Sequence, residues 1–188
     1  TDAMCWVRTH PMMISGLTVH MDSPGLETVE TYVGEFGANT AHLWSTGLPD
    51  EIVGWTTHGP EQKHWISWLQ DEGTSAANGL PLGGLEANPD GRLAYQIGDE
   101  PSNMDELSAL GEGIEVVRSI DPEGFIVINF GNPDDGVDRA DLAEHYAASM
   151  GGDVISYDQY SVNYTGYEAM EVYREVALDY GMPYWRYI

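Results

Sequence analysis

Short apolar runs alternate along this chain with stretches in which apolar residues recur every three or four positions, the pattern of repeated strand–helix units and a parallel sheet. Seven strands are predicted, over 17–21, 38–44, 80–85, 93–98, 125–130, 154–160 and 184–188. Helices are predicted between them. Val29, Tyr32, Val33 and Phe36 fall at helical spacing over 26–36, and a second helix is expected from near Pro60, with Trp65, Trp68 and Leu69 on one face. Ser102 or Asn103 can cap a helix running to 120 that carries Met104, Leu107, Leu110, Ile114 and Val117 in step. Further helices are expected over 139–150 and 167–180. The run 125–130 is apolar up to Asn129, as a strand covered on both faces should be.

A chain of 188 residues is the length of one domain, so 1–188 is read as a single unit. Its charge changes the picture more than its length does. Thirty-one acidic residues against seven basic ones leave a formal net charge of -24, and Lys63 is the one lysine among the seven. The carboxylates are scattered among apolar residues rather than gathered in blocks, so they describe the skin of a folded protein, not a disordered tail. Such a surface repels itself unless salt screens it, and the reading is a halophilic protein placed outside the cell or at its surface in a high-salt environment. The sequon Asn163-Tyr164-Thr165 is compatible with that location. Nucleic acid and anionic membranes are excluded as partners, because both call for basic patches. No membrane insertion is expected, since no apolar run is long enough to span a bilayer. Cys5 is the only cysteine, so no internal disulfide can form.

Candidate chemistry sits where the fourth predicted strand ends. In Leu93-Ala94-Tyr95-Gln96-Ile97-Gly98-Asp99-Glu100-Pro101 an apolar run gives way to two adjacent carboxylates and a proline that cannot continue the strand. The C-terminal edge of a parallel sheet is where connecting loops converge and substrates bind. Because side chains alternate along a strand, Glu100 pointing into such a mouth leaves Asp99 facing a neighbouring strand or the loop. Two roles for Glu100 remain open on these residues: a general acid whose pKa is raised by nearby carboxylates, or a cap on the helix that follows Pro101. Other strand ends offer His20 and Asp22, Trp44, Glu86, Asn129 and Asn132, Asp158 and Tyr160. Aromatic faces beside carboxyl and amide groups suit a carbohydrate, and these residues are expected to bind one. His20, Asp22, His42 and Glu86 are metal-ligand types without metal-site spacing, so neither a metal nor another cofactor is expected.

The position of Asp99-Glu100-Pro101 after the fourth strand resembles the clan A glycoside hydrolases, in which an acid/base glutamate follows asparagine and precedes proline at the end of strand four. Tyr157-Asp158-Gln159-Tyr160 on the sixth strand is similar to a Tyr-Asp-x-Tyr segment of related sugar-active barrels. The resemblance implies a TIM-barrel-like (β/α)8 fold of the α/β class, with Glu100 donating a proton to the leaving glycosidic oxygen. It also implies a polysaccharide substrate. Two departures stand out. Asp99 replaces the asparagine that in the family donates to the sugar, and the family's nucleophilic glutamate ends strand seven, where this chain has no carboxylate beyond Asp179. Glu86 and Asp158 are the candidates for the second carboxyl. With seven of eight strands visible, the C-terminal part of the barrel is expected to be missing or supplied elsewhere, by further sequence or by another chain covering the edge after Ile188. A non-catalytic carbohydrate-binding or cell-surface structural protein on a degenerate barrel is the alternative that the missing nucleophile favours.

Overall fold

The computed structural model describes residues 2–9, 15–17, 37–44, 64–68, 91–158 and 164–187. Its elements run in the order α1 (Asp2–Thr9), β1 (Ser15–Leu17), β2 (Thr40–Trp44), β3 (His64–Trp68), β4 (Arg92–Asp99), α2 (Met104–Ala109), α3 (Gly111–Ile120), β5 (Phe125–Phe130), α4 (Arg139–Ser149), β6 (Val154–Asp158), α5 (Tyr164–Asp179) and β7 (Tyr184–Tyr187). All seven strands pair parallel and in sequence order.

The sheet corrects the expected TIM barrel. It is a curled, open α/β sheet with β1 and β7 at its two edges, and no pairing joins those edges among the described residues. Strand–helix alternation specifies each local unit and the order of neighbours, whereas closure depends on strand number, tilt and stagger acting together. Local pattern does not carry that information.

A second correction concerns residues 64–68, expected in a helix and found as β3. His64-Trp-Ile-Ser-Trp68 is rich in residues that favour a pleated, half-buried surface, and Trp65 and Ile66 are fully covered once the run pairs with β2 and β4. The strand expected at 80–85 lies outside the described residues, as does the helix expected at 26–36. With β3 ending at Trp68 and β4 starting at Arg92, the connection has ample length for a parallel crossover. The long helix expected to 120 is two helices, α2 and α3, jointed at Leu110. Asn103 caps α2 by accepting from the Glu106 amide at 3.0 Å, while the Glu106 carboxylate accepts from the Ser102 amide at 2.8 Å. Helix α1 was not anticipated.

The sheet separates two interiors. On its outer face Tyr95, Ile97, Ile126, Ile128, Phe130, Ile155 and Tyr157 pack against α2–α5, through Leu107, Val117, Leu142, Tyr146 and Tyr173. The buried Tyr146 hydroxyl donates to the carbonyls of Ile126 (2.8 Å) and Val154 (3.1 Å), tying α4 to both β5 and β6. On the inner face Ile66, Ala94, Val127 and Val154 form an apolar layer near the strand starts, closed by Ala3 of α1. Above it the same face turns polar. Gln96, Asn129 and Ser156 are buried there, with Asp158 at the top.

Candidate functional site

The polar layer ends in three carboxyl groups, and the backbone explains why they meet. Between Gln96 and Gly98 the pairing of β4 with β5 slips by one residue, so strict alternation breaks just before the acids. Gly98 admits the Leu110 side chain on the outer face, in space a Cβ would occupy. Asp99 therefore falls beside Asn129 on the inner face. Its Oδ1 accepts from Asn129 Nδ2 at 2.9 Å and from Gln96 Nε2 at 3.4 Å, and the Ser156 hydroxyl donates to Asn129 Oδ1 at 3.0 Å. One hydrogen-bonded chain thus runs from β6 through β5 to β4.

Glu100 is the one residue other than glycine among those described that has a positive φ, +46°. Left-handed backbone is unfavourable for a side chain with a Cβ, and such residues cluster where a site over-determines their geometry. Here the Glu100 amide donates to the Asn129 carbonyl at 2.7 Å, holding the turn. The residue sits at the exposed rim, yet its carboxyl hydrogen-bonds to that of Asp158 and lies over Gly131. The bond to Asp158, partial burial and the charges of Asp158 and Asp99 push the Glu100 carboxyl up to about 7. Asp99 is also raised, chiefly by burial and by the Asp158 charge, against the opposing pull of the Asn129 bond. Glu100 therefore keeps its proton to far higher pH than an ordinary glutamate does.

Of the sequence-predicted residues, the structure brings Glu100, Asp99, Asn129 and Asp158 together. Trp44 ends β2, and His20, Asp22, Glu86 and Tyr160 lie outside the described residues. Asn132 accepts from Arg139 Nη2 at 3.1 Å. His42 sits fully buried on the inner face of β2, where burial lowers it to about 3, so it is a neutral interior residue. Among the described residues no group of three or more His, Cys, Asp or Glu is arranged to hold a metal ion, and no helix is long and apolar enough to cross a membrane. Sequence reasoning missed Gln96, Ser156, Gly131 and Tyr173. Ser156 was within reach, being two residues before Asp158 on the same strand face.

No protein-family model matches the chain, and no curated protein is similar to it in sequence. Its structure is similar to the crystal structure of a provisionally assigned alpha-L-fucosidase from Bacteroides thetaiotaomicron, with a TM-score of 0.60 over 92% of this chain and 73% of that one. The two share a fold. At 11% sequence identity the likeness concerns architecture alone.

Proposed function

We propose that this protein binds a polysaccharide across the C-terminal edge of its sheet and cleaves a glycosidic bond with Glu100 as the proton donor. The observation that carries the reading is the convergence of Glu100, Asp158 and Asp99 at that edge. In a glycosidic hydrolysis the leaving oxygen takes a proton as its bond to the anomeric carbon breaks, positive charge develops on the sugar, and a water adds to that carbon and gives up a proton, so that acid is regenerated. A carboxyl holding its proton near neutrality can supply it, and the Asp99 carboxylate, oriented by Asn129, is placed to accept from a sugar hydroxyl. The acidic composition supports a high-salt, extracellular setting, for which loss of the folded signal on dilution into low salt is the check.

A second reading has its own support. Asp158 is in hydrogen-bond contact with Glu100, closer than the roughly 5–5.5 Å between the two carboxyls of a retaining glycosidase. Asp158 thus tunes Glu100 and does not complete such a pair, which favours a carbohydrate-binding protein without turnover. Hydrolysis of a glycan panel by the wild type and E100Q, with calorimetric binding alongside, separates the two. The enzyme reading expects turnover that declines as pH rises through about 7 and falls at least about 100-fold in E100Q with binding kept. Binding without wild-type turnover supports the second reading. No interaction with any glycan sinks both.

A further inference from the structure

We infer that Gly131, anchored by Tyr173, is a positioning residue that seats the Glu100 carboxyl against Asp158. The inference deepens the reading of Glu100 as the proton donor and rests on it for its catalytic meaning, although the geometry can be tested without any substrate.

Gly131 follows β5 directly, and a Cβ built on it would lie 2.6 Å from the Glu100 carboxyl carbon and 2.7 Å from its Cγ, with Oε1 nearer still. Real Cβ atoms do not approach so closely. The space that glycine leaves open is therefore the space the carboxyl fills. Its backbone is also held: the buried Tyr173 hydroxyl of α5 donates to the Gly131 carbonyl at 3.0 Å, while the Phe130 and Tyr157 rings flank the Tyr173 ring at 5.3 and 4.7 Å. Strand, helix and seat form one packed unit. Gly131 does not have a positive φ, so alanine fits its backbone. What alanine would displace is the end of a flexible side chain at the rim, which can swing into solvent. The fold should tolerate the change, and the Glu100–Asp158 contact should not.

The groups that bear on Glu100 are Asp99 from its own strand and Asp158 from β6, with Tyr173 beneath the seat. Arg139, Tyr157 and Tyr184 stand around the Tyr173 phenol, which burial keeps protonated throughout the accessible range.

The test is the titration of the Glu100 carboxyl, followed by NMR in protein carrying carbon-13 at the glutamate carboxyls and assigned with E100Q. In the wild type the midpoint is expected near 7. In G131A it should fall by at least one pH unit toward the ordinary glutamate value, with the thermal midpoint nearly unchanged. D158N should lower it by a similar amount, and Y173F by less. G111A serves as control, because its Cβ would meet only the Met150 methyl at an ordinary contact of 4.0 Å, and should leave the titration alone. A G131A midpoint equal to the wild type's overturns the inference, and so does a shift of equal size in G111A. Should G131A fold poorly, G131S and Y173F carry the same readout, and a wild-type midpoint in both overturns it too. If the wild type cleaves no glycan, the enzymatic reading falls while the titration still decides the role of Gly131.

Discussion

The two ends of β4–β6 are built on opposite electrostatic principles. At the strand starts, charges of unlike sign meet. Arg92 lies 3.9 Å from Asp121, with its guanidinium 5.3 and 4.5 Å from the Trp65 and Tyr95 ring centres. Arg118 pairs with Asp153 and also donates to the carbonyls of Gly124 (2.6 Å) and Gly151 (3.2 Å), while Asp153 accepts from the Ile126 amide at 2.8 Å. At the strand ends, three carboxyls of like sign are gathered round a residue with left-handed backbone. The Arg118–Asp153 pair is satisfied and stabilises, whereas the Arg92 side chain is buried with its Nε and Nη1 lacking a hydrogen-bond partner among the described residues. Like charges held together destabilise and are retained where chemistry uses their altered proton affinity. The same three strands thus carry a charge-paired end and an end that is reactive on the proposed function.

If that division holds, the two ends respond differently to substitution. The largest effect should be on turnover at the reactive end, where E100Q removes the proton donor and the proposed activity falls at least about 100-fold. Its thermal midpoint should not drop, because the substitution relieves like-charge crowding. A parallel loss of folding and activity in E100Q would erase the distinction between the ends.

The reverse pattern is expected for R118A. That change removes an ion pair and three carbonyl contacts, to Pro122, Gly124 and Gly151, and leaves Asp153 partly buried, a cost of about 2 kcal/mol for a site of this exposure. For a chain of this length the midpoint should fall by roughly 4–8 °C. Glycan binding and Glu100 titration, measured well below the midpoint, should be unchanged. A shifted Glu100 midpoint in R118A would mean that the two ends are coupled through the strands.

Much of the reactive end was legible in the sequence. Asp99-Glu100-Pro101 marks the end of a buried strand by composition alone, and Asp158 closes the next apolar run but one. What could not be read was how they meet. The slip between Gln96 and Gly98 and the positive φ of Glu100 are backbone events that side-chain periodicity averages out. Tyr173 reaches Gly131 from 42 residues away, and its spacing within α5 marks it only as a core aromatic. The strand at 64–68 reads as helix because two tryptophans three residues apart satisfy helical spacing, while pairing with strands on both sides decides the outcome. Closure failed as an expectation for the opposite reason, being a property of the whole sheet.

The smallest effect, and the sharpest test of the comparison, is the pH dependence of stability contributed by the reactive end. The folded protein binds the Glu100 proton more tightly than the unfolded chain does, with a pKa near 7 against an ordinary value of 4.5. Below about 4.5 both states are protonated and the group is neutral to stability. Between about 4.5 and 7 the unfolded chain gives up its proton first, so stability declines as pH rises, and above about 7 the full penalty is in place. Solvent at the exposed rim screens much of this, and a shift on the order of 2 °C between pH 4.5 and 8 is expected relative to E100Q, which lacks the proton. His42 contributes with the opposite sign and in both proteins: neutral and buried, it costs stability as pH falls below 6.5 toward about 3, and it cancels from the difference. Differential scanning calorimetry of the wild type and E100Q across that range measures the difference directly. A flat difference would mean that Glu100 titrates as an ordinary surface carboxylate, and the reactive end would then be no more than another part of the acidic surface.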